Sequence, residues 1–103
     1  MRHFLAMALS ATFLAALLSV AQAQDIAAGE KLARGQCSGC HYVGKNQKPP
    51  FGFAPAFSKI ARTPGMTQTS IQVFLSNEHE AMPNYILSAK EIRDVAAYIE
   101  TLR

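Results

Sequence analysis

Two cysteines three apart, with a histidine directly behind the second, constrain this chain more than any other feature. The stretch "QCSGCHYVG" at residues 36–44 holds Cys37, Cys40 and His41, and the 103 residues contain no other cysteine. At most one disulfide is available, and a Cys-x-x-Cys bridge closes too small a loop to restrict the unfolded chain much. The domain around it is also small. Residues 1–23 read as a secretory signal: Arg2 and His3, an apolar run from Phe4 to Val20, then Ala21-Gln22-Ala23 as the cleavage site. The run approaches the length that spans a bilayer, so the alternative is a retained anchor. The Ala-x-Ala site and the polar Gln24-Asp25 favour cleavage after Ala23. Residues 24–103 then form one domain of about 80 residues, near the size at which a hydrophobic core alone is marginal. Such a domain needs a staple, and the cysteine segment offers one.

The rest of the chain reads as helices and loops. Asp25 caps a first helix through Gln36, with Ile26, Gly29, Leu32 and Ala33 at helical spacing. From Tyr42 to about Thr63 periodicity fails, and Gly, Asn and Pro residues mark a loop. Phe51, Phe53 and Phe57 make that loop unusually apolar. Pro64-Gly65 is a turn, after which Thr67 or Thr69 caps a short helix burying Ile71, Phe74 and Leu75. Pro83 then pushes Met82 out of helical geometry. Ser88 and Glu91 form a capping box, and Ile92, Val95, Ala96, Ile99 and Leu102 make an apolar stripe behind it, with Tyr98 alongside. Nothing reads as a strand pair. The expectation is an all-α fold of three main helices, whose long loops wrap a large apolar ligand that supplies the missing core.

Nine lysines and arginines stand against seven acidic residues in residues 24–103. That balance is too weak, and reads as too evenly scattered, to argue for nucleic acid or an anionic membrane.

Four chemistries compete for the cysteine pair. Structural zinc needs four ligands, and beyond His41 only His79 is on offer, without a spaced partner. A thiol redox centre expects the pair at a helix N-terminus in a βαβ setting, whereas here it follows a helix. A plain disulfide is possible but mechanically weak. Covalent haem attachment has Cys-x-x-Cys-His as its signature. Two thiols add across the vinyl groups on one side of a porphyrin, and the imidazole of His41 then falls beneath the iron. Export and an undersized core both agree with this reading.

Met and His are the usual axial pair in electron-transfer haems. Met66 stands in a Pro-Gly-Met-Thr turn and reads as a surface residue or one leading into the middle helix. Met82, in the loop "AMPNY" beyond the middle helix, can reach back across the porphyrin face. His79 competes, but between Glu78 and Glu80 it reads as a solvated loop residue.

With "GEKLARGQC", "CSGCH", "FAPAF", "AMPNY" and "VAAYI" in hand, residues 25–103 resemble a class I c-type cytochrome of the short bacterial periplasmic form. The resemblance implies thioethers at Cys37 and Cys40, His41 as proximal ligand and Met82 as distal ligand. It implies that the Pro55 carbonyl accepts the proximal histidine N–H, that Phe57 stands where a leucine usually packs on the haem, and that Gly29 and Tyr98 mark the crossing of the first and last helices. Ala33 departs from a common aromatic and Ala54 from the usual glycine before Pro55. The implied function is a periplasmic one-electron carrier rather than an enzyme, a monomer exchanging electrons with donor and acceptor proteins. The alternatives are a dedicated haem subunit of a dehydrogenase or oxidase complex, with Phe51 and Phe53 as its docking patch, and a gas sensor or peroxidase with a labile sixth ligand. Lys45 with Lys48, or Glu78 with Glu80, are candidates for steering a partner, but ordinary solvated loop charges are the favoured reading of both pairs.

Overall fold

The computed structural model describes residues 24–45, 54–78, 81–83 and 85–103. The leader, Lys48, Phe51, Phe53, His79 and Glu80 lie outside those residues. Among the described residues every regular element is a helix: α1 (Ile26–Gln36), α2 (Phe57–Arg62), α3 (Gln68–Leu75) and α4 (Ala89–Glu100).

α1 starts where Asp25 Oδ1 accepts the Ala28 N–H at 2.9 Å, which satisfies one of the free donors of the first turn. Its fully buried face is narrow, just Gly29 and Ala33, because α4 crosses there at close range. A Cβ on Gly29 would stand 2.0 Å from the Asp94 carbonyl oxygen. No side chain fits that gap, so glycine is required by the crossing and not by a turn. Ala33 is wholly buried, so small residues at both positions let the helices meet. Ile26, in the first turn, is nearly half exposed.

α4 opens with the expected box: Ser88 Oγ accepts the Glu91 N–H at 3.2 Å, and Glu91 Oε2 accepts the Ser88 N–H at 2.8 Å. Val95, Ala96, Tyr98, Ile99 and Leu102 are buried along it, and Ile92 is half-buried. α4 packs most extensively on α1, then on α3, then on α2. The Tyr98 hydroxyl donates to the Val43 carbonyl, which fastens the segment after His41 to the last helix.

α2 departs from the expectation of three helices joined by loops. Six residues give less than two turns, and Ala56 at its N-cap offers no side-chain hydrogen bond, so neither periodicity nor capping announced it. Tertiary packing sustains it instead, through buried Phe57 and Ala61 and the Phe57 N–H donated to the Tyr42 carbonyl at 2.8 Å. It ends at Thr63, which is extended, as the residue before a proline prefers to be. Gly65 then takes φ +79°, and the Met66 N–H bonds the Thr63 carbonyl at 3.0 Å. Proline followed by a positive-φ glycine makes this a type II turn.

α3 is capped by Thr67, which exchanges hydrogen bonds with Ser70 at 3.1 and 2.9 Å. Of its three expected core residues, Ile71 is buried, Leu75 is half-buried and Phe74 is about half exposed. All three line the cavity described below.

Asp94 is the buried charge that sequence reading passed over, at 3% exposed. Its carboxylate accepts the Asp25 N–H at 2.9 Å and pairs with Lys90 Nζ at 2.6 Å, so it ties the start of α1 to α4. Burial pushes its pKa up, but the Lys90 ammonium and the Asp25 N–H outweigh burial and hold it below the ordinary carboxylate value. A group depressed in the folded state contributes stability above its unfolded pKa of about 3.9 and loses it as pH falls through the folded value. Asp94→Asn is therefore expected to cost about 1–2 kcal/mol at neutral pH and to flatten the acid limb of stability below about pH 4. Urea melts between pH 3 and 7 check it; an acid limb identical in the variant would refute the assignment.

Candidate functional site

The residues after α1 do not leave it as open coil. Cys37 N–H bonds the Ala33 carbonyl at 2.9 Å, and Cys40 and His41 N–H groups both return to the Cys37 carbonyl, at 3.2 and 2.9 Å. The motif is thus one more helical turn, which carries both sulfurs and the imidazole to the wall of one cavity.

That cavity has a volume of about 780 Å³, inside the roughly 300–1,000 Å³ of small-molecule and cofactor sites. Its wall is almost wholly hydrocarbon. All six residues singled out from the sequence line it: Cys37, Cys40, His41, Pro55, Phe57 and Met82. They come from three separate stretches of chain, so the fold and not sequence proximity assembles them.

The imidazole is oriented. His41 Nδ1 lies 2.6 Å from the Pro55 carbonyl oxygen. A carbonyl only accepts, so Nδ1 carries a proton, and in the neutral ring Nε2 then holds the lone pair, the arrangement that metal-ligating histidines use. The Phe57 ring sits with its centroid 5.3 Å from that of His41, tilted by 49°, and limits rotation of the imidazole on one side. The Phe57 N–H bond to Tyr42 lies beside the His41–Pro55 bond, so residues 41–42 and 55–57 are clipped together twice.

Met82 is half-buried and lies between exposed Ala81 and Pro83, and the Tyr85 N–H closes a short turn on the Pro83 carbonyl at 3.1 Å. Met66 was expected at the surface or leading into the middle helix; it does lead into α3, but it is also half-buried on the cavity wall. Its sulfur lies 3.3 Å from Ser70 Oγ. Ile60, Leu87, Val95 and Ile99 also line the cavity and were not foreseen as site residues. For Val95 and Ile99 the signal was present, since the same apolar stripe serves core and site.

The rival chemistries fit the geometry poorly. Among the described residues no three His, Cys, Asp or Glu side chains converge as a metal-ligand group, as a zinc centre would need. Burial pushes the Cys37 thiol up, whereas a redox thiol needs its pKa lowered. The cysteines are not joined to each other. Two thiols one turn apart, an imidazole with its free nitrogen set by a hydrogen bond, and an apolar cavity of this size do fit a porphyrin. Cys37 and Cys40 are the residues that could attach it, and His41 and Met82 are the side chains that could donate to its iron.

Comparison with known proteins agrees. The family described as cytochrome c oxidase, cbb3-type, subunit III matches residues 24–99. A protein called cytochrome c-552, from Bradyrhizobium diazoefficiens, is 38% identical over 85 residues, which cover 82% of each chain. No solved structure gives a significant match. Two matches of such length, agreeing on a cofactor that the cavity can hold, settle the family: the chain belongs to this cytochrome c family and is a class I c-type cytochrome, an electron-transfer protein carrying haem c covalently.

Proposed function

We propose that the protein is an exported one-electron carrier in which Cys37 and Cys40 form the thioethers and His41 and Met82 ligate the iron. The observation that carries this reading is the convergence of those four side chains, with Pro55 and Phe57, on one apolar cavity.

Bound haem supplies a centre that changes charge by one electron without making or breaking bonds to the protein. The chain's own residues do the rest. The Pro55 carbonyl holds the His41 proton on Nδ1 and keeps Nε2 directed as a donor to metal. Met82 supplies a thioether, a neutral and polarizable donor that favours the reduced state and raises the potential. Ile71, Phe74, Leu75, Val95 and Ile99 exclude water, so the site neither reorganises much nor admits other ligands. An enzyme or gas sensor needs an open position, and a second protein ligand removes it.

Export follows from the leader expected at residues 1–23, and the family match begins at residue 24, directly after the expected cleavage site. Among the described residues no helix is long and apolar enough to cross a membrane. The periplasm is the compartment this reading assigns.

The family description favours a second reading, a haem subunit held in an oxidase complex. The Phe51/Phe53 patch suggested for it lies outside the described residues. Gel filtration of a native periplasmic extract separates the two: the carrier elutes near its own mass of about 11 kDa or less, while a dedicated subunit elutes with its complex.

A further inference from the structure

Met66, Ser70, Ile71, Phe74 and Leu75 all line the cavity, and all come from α3 or the turn that leads into it. The cysteines and His41 belong to the segment after α1, so this wall has to be held by packing and hydrogen bonds. Ile71 supplies one hold by entering the buried core. A second hold lies at the start of α3 and comes from a residue 37 positions further along the chain.

Arg103 Nη2 donates to the Met66 carbonyl at 2.8 Å. The same guanidinium meets Glu100 through Nε–Oε1 and Nη2–Oε2, each at 3.0 Å. An exposed Arg–Glu pair three residues apart contributes little by itself. Its effect here is directional: two parallel bonds to Glu100 fix the plane of the fork, and the remaining Nη2 hydrogen serves Met66. The other half of the Met66–Thr67 peptide is held as well, because the Thr67 N–H donates to Ser70 Oγ at 2.9 Å within the α3 capping box. One planar peptide thus has its oxygen bonded to the residue beyond the end of α4 and its N–H bonded to α3. If that peptide moves, the cap of α3 and the Met66 side chain on the cavity wall move with it.

We infer that Arg103 is a positioning residue for the haem site: its guanidinium latches the Met66–Thr67 peptide to the end of α4 and so keeps the α3 wall closed over the cavity. The inference rests on the reading above, with Met82 on the iron, and adds what holds the site shut. Lysine at 103 would keep the charge but lose the fork. Arg62 is the internal control, because its Nε donates to the Ser58 carbonyl at 3.1 Å, a guanidinium–carbonyl bond that stays inside α2.

Native-state amide exchange of the oxidised holoprotein is compared for wild type, Arg103→Ala, Arg103→Lys and Arg62→Ala. The reporters are the Ile71 and Ser76 N–H groups, which bond the Thr67 and Gln72 carbonyls, and the Cys37 N–H at the end of α1. In Arg103→Ala the two α3 reporters should exchange about fivefold faster, the loss of one charge-assisted but exposed hydrogen bond, while Cys37 changes far less. Arg103→Lys should fall between, and Arg62→Ala should leave α3 unchanged. Imidazole binding to the oxidised holoprotein reads the same opening, since imidazole must pass this wall and put its nitrogen on the iron in place of the Met82 sulfur. Its rate should rise by a similar factor in Arg103→Ala. Unchanged α3 exchange overturns the inference, and so does equal acceleration at Cys37, which would make the contact a general stabiliser. Should Arg103→Ala fold poorly, Glu100→Gln repeats the exchange test with the guanidinium present but no longer held, and unchanged α3 exchange there also counts against the latch. The two levels fail separately: if Met82 is not the ligand, oxidised wild type lacks the red absorption that imidazole would erase, while the exchange rates still decide on Arg103.

Discussion

Met82→Ala is expected to abolish the weak red absorption of sulfur–ferric coordination, to let the reduced protein bind carbon monoxide quickly, and to lower the midpoint potential by on the order of 0.1–0.2 V. The size of the effect follows from what the residue supplies. A thioether stabilises the reduced iron without bringing charge, and its loss admits water to a site otherwise walled by hydrocarbon. Met66→Leu is the matching control, because Met66 lines the same cavity and is equally a thioether. It should leave the red band intact and shift the potential only slightly. A variant at Met82 that keeps the band, or a variant at Met66 that loses it, would reassign the ligand. Optical spectra of the oxidised and reduced variants decide the matter.

Gly29→Ala is expected to destabilise the fold by about 3 kcal/mol, the upper end of ordinary overpacking, and to lower the melting temperature by about 10–20 °C in a domain this small. The added Cβ would meet the backbone of Asp94, 2.0 Å from its oxygen and 2.4 Å from its carbon, and no side-chain rotamer relieves a contact between two backbones. α1 and α4 must separate, which also strains the Asp25–Asp94 hydrogen bond at the edge of the same crossing. Thioethers, once formed, do not depend on that crossing. The variant should therefore yield less holoprotein, while whatever is recovered keeps its haem. Thermal melts of the purified holoprotein measure this, and a variant melting within two or three degrees of wild type would contradict the close crossing.

The residues that line the candidate site were legible because the chemistry proposed for it needs fixed residue types at fixed spacing. Cys37, Cys40 and His41 stand at the spacing that covalent haem attachment requires, and Met82 is marked by the proline behind it. The Pro55 carbonyl was reachable only through the family resemblance, since a backbone acceptor leaves no trace in residue type. The capping residues Asp25, Thr67 and Ser88 were legible for the reason that makes them work, an oxygen placed before a helical run.

What escaped reading depends on long-range packing. α2 is too short for periodicity, and the Tyr42 carbonyl and the core support it in place of a cap. Asp94 stands between Arg93 and Val95 like any surface acid, and only the close approach at Gly29 buries it. Met66 occupies a turn that looks external until α3 folds over the cavity.

An optically monitored redox titration of the purified wild-type holoprotein tests the central claim most directly, that His41 and Met82 both hold one covalently attached haem in a one-electron carrier. The account predicts a single one-electron transition, an oxidised spectrum with the sulfur–ferric band, and a reduced form that does not take up carbon monoxide. An oxidised spectrum without that band, together with rapid carbon monoxide binding by the reduced protein, would contradict it.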